Sequence, residues 1–126
     1  HILLPEVIGP EMFGPMVLAN QPRWASIVRW TIFGLIAAEE NDIRQSNTLV
    51  AAQSQDPVQR TLMGTDGDIG TALGLSSKWL LNVISQVGNY GEIYEQNLGR
   101  GSRLLLPRER NDLARNGGLM TAPAFR

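Results

Sequence analysis

The sequence predicts a mostly helical chain with two short β-strands, and three observations predict it. The stretch Gln21–Asp42, QPRWASIVRWTIFGLIAAEEND, is the most apolar part of the chain and repeats its apolar residues at helical spacing. From Ser46 to Gly118, short runs at the same spacing alternate with Gly, Pro, Asn and Ser punctuation. Only Ile2–Ile8 and Phe13–Leu18 read as extended, and each contains a proline, which cannot donate to a ladder.

Taken in order, Ile2–Ile8 is a strand end or edge, because Pro5 and Glu6 interrupt its apolar residues. Gly9-Pro10 is a turn signal, and Phe13–Leu18 is a second strand broken by Gly14-Pro15. Two such strands make a poor sheet, since stable sheets usually have three or more. Either they pair beside the helices or their partners lie outside this chain. The chain opens inside the first strand-like run, with no charged n-region, so a missing upstream part is expected.

In the long helix, Asn20 is a suitable N-cap, Pro22 suits the first turn, and Asn41 can take the left-handed stop. Trp24, Ile27, Val28, Thr31, Leu35 and Ala38 line one face, while Trp30, Ile32, Phe33 and Ile36 fill much of the rest. A helix this apolar all round must be covered on several sides. The run Trp30–Ala38, closed by Arg29 and Glu39, is far shorter than the roughly 20 residues a membrane span needs, so it reads as a core helix.

Ser46 then caps a helix through Leu49, Val50 and Ala52, and Asp56-Pro57 opens another through Val58, Leu62 and Met63. A glycine-rich loop, Gly64–Gly74, follows. Ser76 or Ser77 caps a helix bearing Trp79, Leu80, Val83, Ile84 and Val87, which Gly88 stops. Asn89 and Glu92 have capping-box spacing before a helix over Tyr90–Leu98, ended by Gly99 and Gly101. Arg103–Leu106 is extended or a turn, Pro107 starts a last short helix ended by Gly117-Gly118, and the tail is irregular.

Composition narrows the function. The chain has 126 residues, 43% of them hydrophobic, enough for one core. Lys and Arg number 11 against 12 Asp and Glu, which argues against nucleic acid as a partner, since phosphate binding needs clustered positive charge. The one basic excess, Arg100–Arg115, also holds Glu109 and Asp112 and reads as a solvated helix face. There is no cysteine, so neither a disulfide nor a thiolate metal site is available. The single histidine is the first residue, and no histidine triad or histidine metal site is built from it.

Other motifs also reduce to structure. Counting from Asp66, the twelfth position of a calcium loop is Ser77 rather than Glu, so no metal is expected there. Gly67–Gly70 and Gly88–Gly91 are turn glycines, without a lysine-bearing phosphate loop. Glu39-Glu40 sits at a helix end, Glu92 has its cap, and Glu6, which interrupts an apolar strand, reads first as the polar half of an alternation, with a place near a cleft as the alternative. The serines lack a His or Lys partner, so no catalytic residue is assigned. Trp24, Trp30 and Trp79 read as core, and Tyr90 and Tyr94 as a packing seam.

Several segments together resemble one family. ILLPEVIG and FGPMV, the IVRWTIFGLIAAEE helix, LMGTDGDIGTALGLSSKW, VGNYGEIYEQNLG and the closing NGGLM with APAFR are similar to the C-terminal part of the general L-amino-acid-binding periplasmic proteins. These are type II solute-binding proteins of polar amino-acid ABC transporters. The similarity runs from Ile2 to Arg126.

The resemblance implies the C-terminal segment of an α/β fold of two lobes around a ligand cleft. Residues 1–18 would end the second lobe and cross back, with a hinge at Phe13, Gly14 and Pro15, and residues 19–126 would form the helical C-terminal portion of the first lobe. It implies a periplasmic non-enzyme without cofactor, whose partners are an L-amino acid and an ABC permease. In that family the arginine and aspartate of the ligand clamp lie upstream, so no ligand-binding residue is carried over here. The segment alone is expected not to bind amino acids and to self-associate through uncovered apolar surface. The rival readings are a self-standing helical interaction module and a fragment of a dehydratase-type enzyme on the same fold.

Overall fold

The computed structural model describes Gly9 and residues 13–125, so the Ile2–Ile8 strand and Glu6 lie outside the described residues. The helices in them are α1 (Pro22–Glu40), α2 (Thr48–Ala52), α3 (Pro57–Leu62), α4 (Ile69–Ala72), α5 (Trp79–Val87) and α6 (Tyr90–Asn97). Single 3-10 turns stand at Gln45–Asn47, Glu109–Asn111 and Ala114–Asn116. No strand occurs among the described residues, only an isolated parallel bridge between Leu113 and Met120. The expected second strand, Phe13–Leu18, therefore has no ladder, because no partner segment runs beside it among the described residues.

α1 organises the rest. Proline at its first position needs no hydrogen-bond partner there, and the N-cap is Gln21 rather than Asn20. The stop is one residue later than expected. Asp42, not Asn41, takes the left-handed conformation at φ 55°. Ile43 N donates to Ala38 O at 2.8 Å and Asp42 N to Glu39 O at 3.2 Å, a Schellman ending in which Ile43 and Ala38 are both fully buried.

Only the C-terminal half of α1 is buried. Gly34 to Ala38 are enclosed, and Leu35, Ala37 and Ala38 join Ile43, Ala51, Leu62, Met63, Trp79, Leu80 and Ile84 in one core. Gly34 lets α5 approach closely, since a Cβ there would lie 2.6 Å from Leu80 Cδ1. Trp30 packs its edge on Phe125 of the tail, with ring centroids 5.2 Å apart. The expected core position of Trp24 does not hold, since Trp24 is 52% exposed at the uncovered end of the helix.

The shorter elements follow their caps with small shifts. Asp56 Oδ1 accepts from Val58 N at 2.8 Å, so the Asp-Pro start of α3 is as expected. The α2 start passes from Ser46 to Asn47, and α5 begins after Lys78 rather than Ser76 or Ser77. α4 is an unexpected single turn inside the glycine-rich loop, and α6 ends at Asn97. The helix expected from Pro107 is absent. Asp112 and Leu113 are extended between two 3-10 turns, held by the Leu113–Met120 bridge.

The Asn89–Glu92 capping box forms as its spacing requires. Glu92 N donates to Asn89 Oδ1 and Asn89 N to Glu92 Oε2, both at 2.9 Å. The same two side chains also reach the loop after α1. Asn89 Nδ2 donates to Ile43 O at 2.9 Å, and Glu92 Oε2 accepts from Gln45 N at 3.0 Å. One local cap thereby ties α6 to the end of α1.

Candidate functional site

Two places carry more than packing. The first is the N-terminal apolar half of α1, which the described residues cover only in part. Pro15 and Val17 lie against Ala25, Val28, Arg29, Ile32 and Phe33 and line a shallow groove with them. Phe13 and Met16 project into solvent, 88% and 97% exposed. Around Gly14 a side chain would meet nothing within 4 Å. Phe13, Gly14 and Pro15, the residues expected at the hinge, are thus exposed and irregular, with Pro15 against α1, rather than part of an enclosed site.

The second place is a charged hub that sequence reasoning missed. Glu39, in the last turn of α1, and Arg108, in the irregular segment after α6, form a two-pronged ion pair. Arg108 Nη1 donates to Glu39 Oε1, and Nη2 donates to Oε2 at 3.0 Å. Both side chains are largely enclosed, at 14% and 13% exposure, so this pair is not a solvent-screened surface contact. The guanidinium carbon lies 5.6 Å from the Tyr90 ring centroid and 5.8 Å from that of Tyr94. Its Nη2 also donates to Asn111 O at 2.8 Å, and Tyr94 Oη donates to Pro107 O at 3.0 Å.

The buried Arg108 Nε has no hydrogen-bond partner, while the guanidinium as a whole lies against the two tyrosine rings. Burial pulls the Arg108 guanidinium pKa down. The hydrogen bond and charge of Glu39, with Asp112 and Tyr90, outweigh that, and the group stays charged. Burial pushes the Tyr90 hydroxyl above its ordinary value, with the nearby Arg108 opposing it. Both terminal nitrogens of Arg108 are spent on Glu39, with Asp112 Oδ1 also 3.6 Å from Nη1, so the hub fastens the segment after α6 to α1.

Beside it, Arg115 stops the helix. Its Nη1 donates to Glu40 O at 2.7 Å and its Nη2 to Glu39 O at 3.3 Å, which satisfies carbonyls that a helix end leaves open. Ala122 N donates to Glu40 Oε1 at 3.4 Å. The basic excess read as a solvated helix face is therefore a strap, fastened at Arg108 and Arg115 to the Glu39-Glu40 end of α1. No local spacing encodes that pairing, because 69 residues separate Glu39 from Arg108. The tyrosine seam i, i+4 apart was the one local sign of it.

The remaining candidates resolve into structure. Asp66 accepts from Arg60 Nε at 2.6 Å and from Nη2 at 2.9 Å. That hydrogen bond, followed by the charge, holds the Asp66 carboxyl below the usual carboxylate range. Asp112 is likewise lowered, first by Asn116 Nδ2 and then by the Leu113 amide. The glycines Gly64 and Gly70 are demanded by close approach. A Cβ at Gly64 would lie 1.9 Å from Ser77 O, and one at Gly70 2.3 Å from Ser76 O. Among the described residues, no cluster of acids suited to a metal ion occurs, and no helix is long and apolar enough to cross a membrane.

Comparison with known proteins gives these features a context. No family model matches the chain. The chain is 46% identical over 128 residues to the general L-amino acid-binding periplasmic protein AapJ of Rhizobium johnstonii, a match covering 100% of this chain and 38% of that protein. It is 42% identical over 126 residues to the glutamate/glutamine/aspartate/asparagine-binding protein BztA of Rhodobacter capsulatus, covering 99% of this chain and 37% of that one. Among solved structures, a periplasmic binding protein of an ABC transporter from Brucella ovis, with glutathione bound, superposes with a TM-score of 0.92 at 42% identity. That match covers 98% of this chain and 39% of the other. The chain thus spans a little over a third of the length of the relatives it matches.

Proposed function

We propose that this chain, homologous along its whole length to part of the periplasmic binding proteins of amino-acid ABC transporters, is the scaffold portion of a protein that captures L-amino acids for a permease. The relatives it matches are binding proteins rather than enzymes. The observation that carries the reading is the structural match, a TM-score of 0.92 over 98% of this chain and 39% of the other. Residues 1–18 end the second lobe and cross back through a hinge at Phe13, Gly14 and Pro15, and residues 19–126 form the helical part of the first lobe. The open run beside α1 supports this assignment, since a crossing segment must be free to rotate. The partners are an L-amino acid and an ABC permease, in the periplasm, with no cofactor.

In this reading the ligand clamp lies in the part of the protein that this chain does not span. The pairing of Arg108 with Glu39 supports it, since this largely enclosed guanidinium is committed to holding the strap. The test is isothermal titration calorimetry with a mixture of L-amino acids, on the full-length protein and on the 126-residue chain. The expected result is saturable heat from the former and only dilution heat from the latter. Saturable binding by the short chain would overturn the scaffold assignment. No binding by the full-length protein would overturn amino-acid capture itself.

A further inference from the structure

The strap after α6 contains one pair of residues that fastening does not require. Asn116 is followed by Gly117, and no other asparagine in the chain precedes a glycine. Asparagine is chemically labile, and a following glycine makes it more so, because no side chain hinders the approach of the glycine nitrogen to the asparagine side-chain carbonyl. The structure puts the pair at the tip of a turn. Asn116 ends the 3-10 turn Ala114–Asn116, and both residues are exposed. Gly117 stands at φ 90°, and a Cβ built there would meet nothing within 4 Å, so the tip has room to change shape. Two hydrogen bonds oppose that change. Gly117 N donates to Ala114 O at 3.0 Å, and Asn116 Nδ2 donates to Asp112 Oδ1 at 3.0 Å. Neither is enclosed, since Ala114 and Asn116 are both exposed.

We infer that Asn116-Gly117 is a site of spontaneous deamidation whose product loosens the strap. The Gly117 backbone nitrogen bonds to Asn116 Cγ, the Cγ–Nδ2 bond breaks, and ammonia leaves with the proton that the backbone nitrogen gives up. Water then opens the five-membered ring. Opening at Cγ leaves aspartate, and opening at the main-chain carbonyl leaves isoaspartate, with the chain routed through the side chain. The reaction exchanges ammonia for water and needs no oxidant. Either product puts a carboxylate in place of the amide that faced Asp112, whose Oδ1 also accepts from Leu113 N at 2.7 Å. Two like charges then share one turn. That turn matters to the strap. Arg115 within it donates to the Glu40 and Glu39 carbonyls, Gly118 N donates to Leu113 O at 3.1 Å, and Met120 N donates to Asp112 O at 3.0 Å. The chain also holds one aspartate before a glycine, Asp66-Gly67, which closes the same ring only from the protonated acid. Arg60 holds that carboxylate ionised with two hydrogen bonds, at 2.6 and 2.9 Å, so Asn116-Gly117 is the reactive pair.

The experiment incubates the full-length protein for weeks in mildly alkaline buffer, beside the variant Asn116→Gln, whose longer side chain closes its ring far more slowly. A peptide of residues 112–120 serves as the unfolded reference. Conversion is read as a gain of one mass unit at residue 116 and as labelling by an isoaspartyl methyltransferase. The expected result is aspartate and isoaspartate at residue 116 of the wild type, formed more slowly than in the peptide, and neither in Asn116→Gln. Hydrogen exchange reads the consequence. In the aged protein and in Asn116→Asp, the Gly118 and Met120 amides are expected to exchange about tenfold faster than in the fresh wild type, with those of α5 unchanged. An intact Asn116 in the protein after the peptide has converted overturns the site. Isoaspartate at Asp66 ahead of Asn116 overturns it as well. Unchanged exchange at Gly118 and Met120 in both the aged protein and Asn116→Asp overturns the loosening of the strap.

Discussion

Asp42 stands in the left-handed conformation just past α1, at φ 55°, where glycine is at ease and an L-residue is strained. Its side chain is 78% exposed and only 3.9 Å from Arg115, a contact worth little in water. Asp42→Gly is therefore expected to stabilise the protein by about 0.5–1 kcal/mol, read as a raised urea midpoint with an unchanged slope. Glu39 and Arg108 are the opposite case. With both side chains about seven-eighths enclosed, removing one leaves the other buried and unpaired. Glu39→Gln is expected to cost about 2–4 kcal/mol, toward the lower part of the range for fully buried pairs. Arg108→Met in the same background should recover much of that loss. A double-mutant cycle with no coupling would refute the pairing as the strap's fastening.

At the scale of elements, the glycine-rich loop shows which glycines are required. Gly64 and Gly67 both have positive φ, at 70° and 83°. At Gly64 an added Cβ would meet Ser77 O at 1.9 Å, whereas at Gly67 its nearest contact is Thr61 Cγ2 at 3.5 Å. Gly67→Ala should then cost only the conformational strain, about 1 kcal/mol. Gly64→Ala adds a backbone collision that separates α3 from the start of α5, and should cost clearly more, beyond about 2 kcal/mol. Equal thermal shifts for the two variants would show that the close approach of the Ser77 backbone does not matter.

For the whole molecule, the decisive feature is a helix buried at one end only. Trp24 is 52% exposed, and Ile27, Val28, Ile32 and Phe33 are only partly covered, with Phe13, Met16 and Leu18 exposed nearby. A surface of this kind seeks cover, from the rest of a longer protein or from another copy. The isolated chain is expected to self-associate in sedimentation velocity at micromolar concentration, and Trp24→Glu to return it to a monomer. In the full-length protein the tryptophan should instead be shielded, with blue-shifted emission and resistance to quenching. A short chain that stays monomeric at all concentrations would favour the self-standing helical module.

The sequence by itself determined what depends on neighbours a few residues apart. Proline at the start of α1 and α3, Asp56 and Asn89 as caps, Gly88 as a stop and the apolar spacing of α5 were all legible, because each acts through a hydrogen bond or φ preference within about one turn. The similarity to amino-acid-binding proteins was legible too, in segments spread along the chain. Only the tertiary structure decided the rest. It made a strap of the basic excess by bringing Arg108 to Glu39 and Arg115 to the carbonyls of α1, and it left Trp24 uncovered while enclosing Ala38. Phe13–Leu18 shows the limit most plainly. Its residues suit a strand, but a strand exists only where another segment supplies the ladder, and that depends on which distant parts of a chain meet.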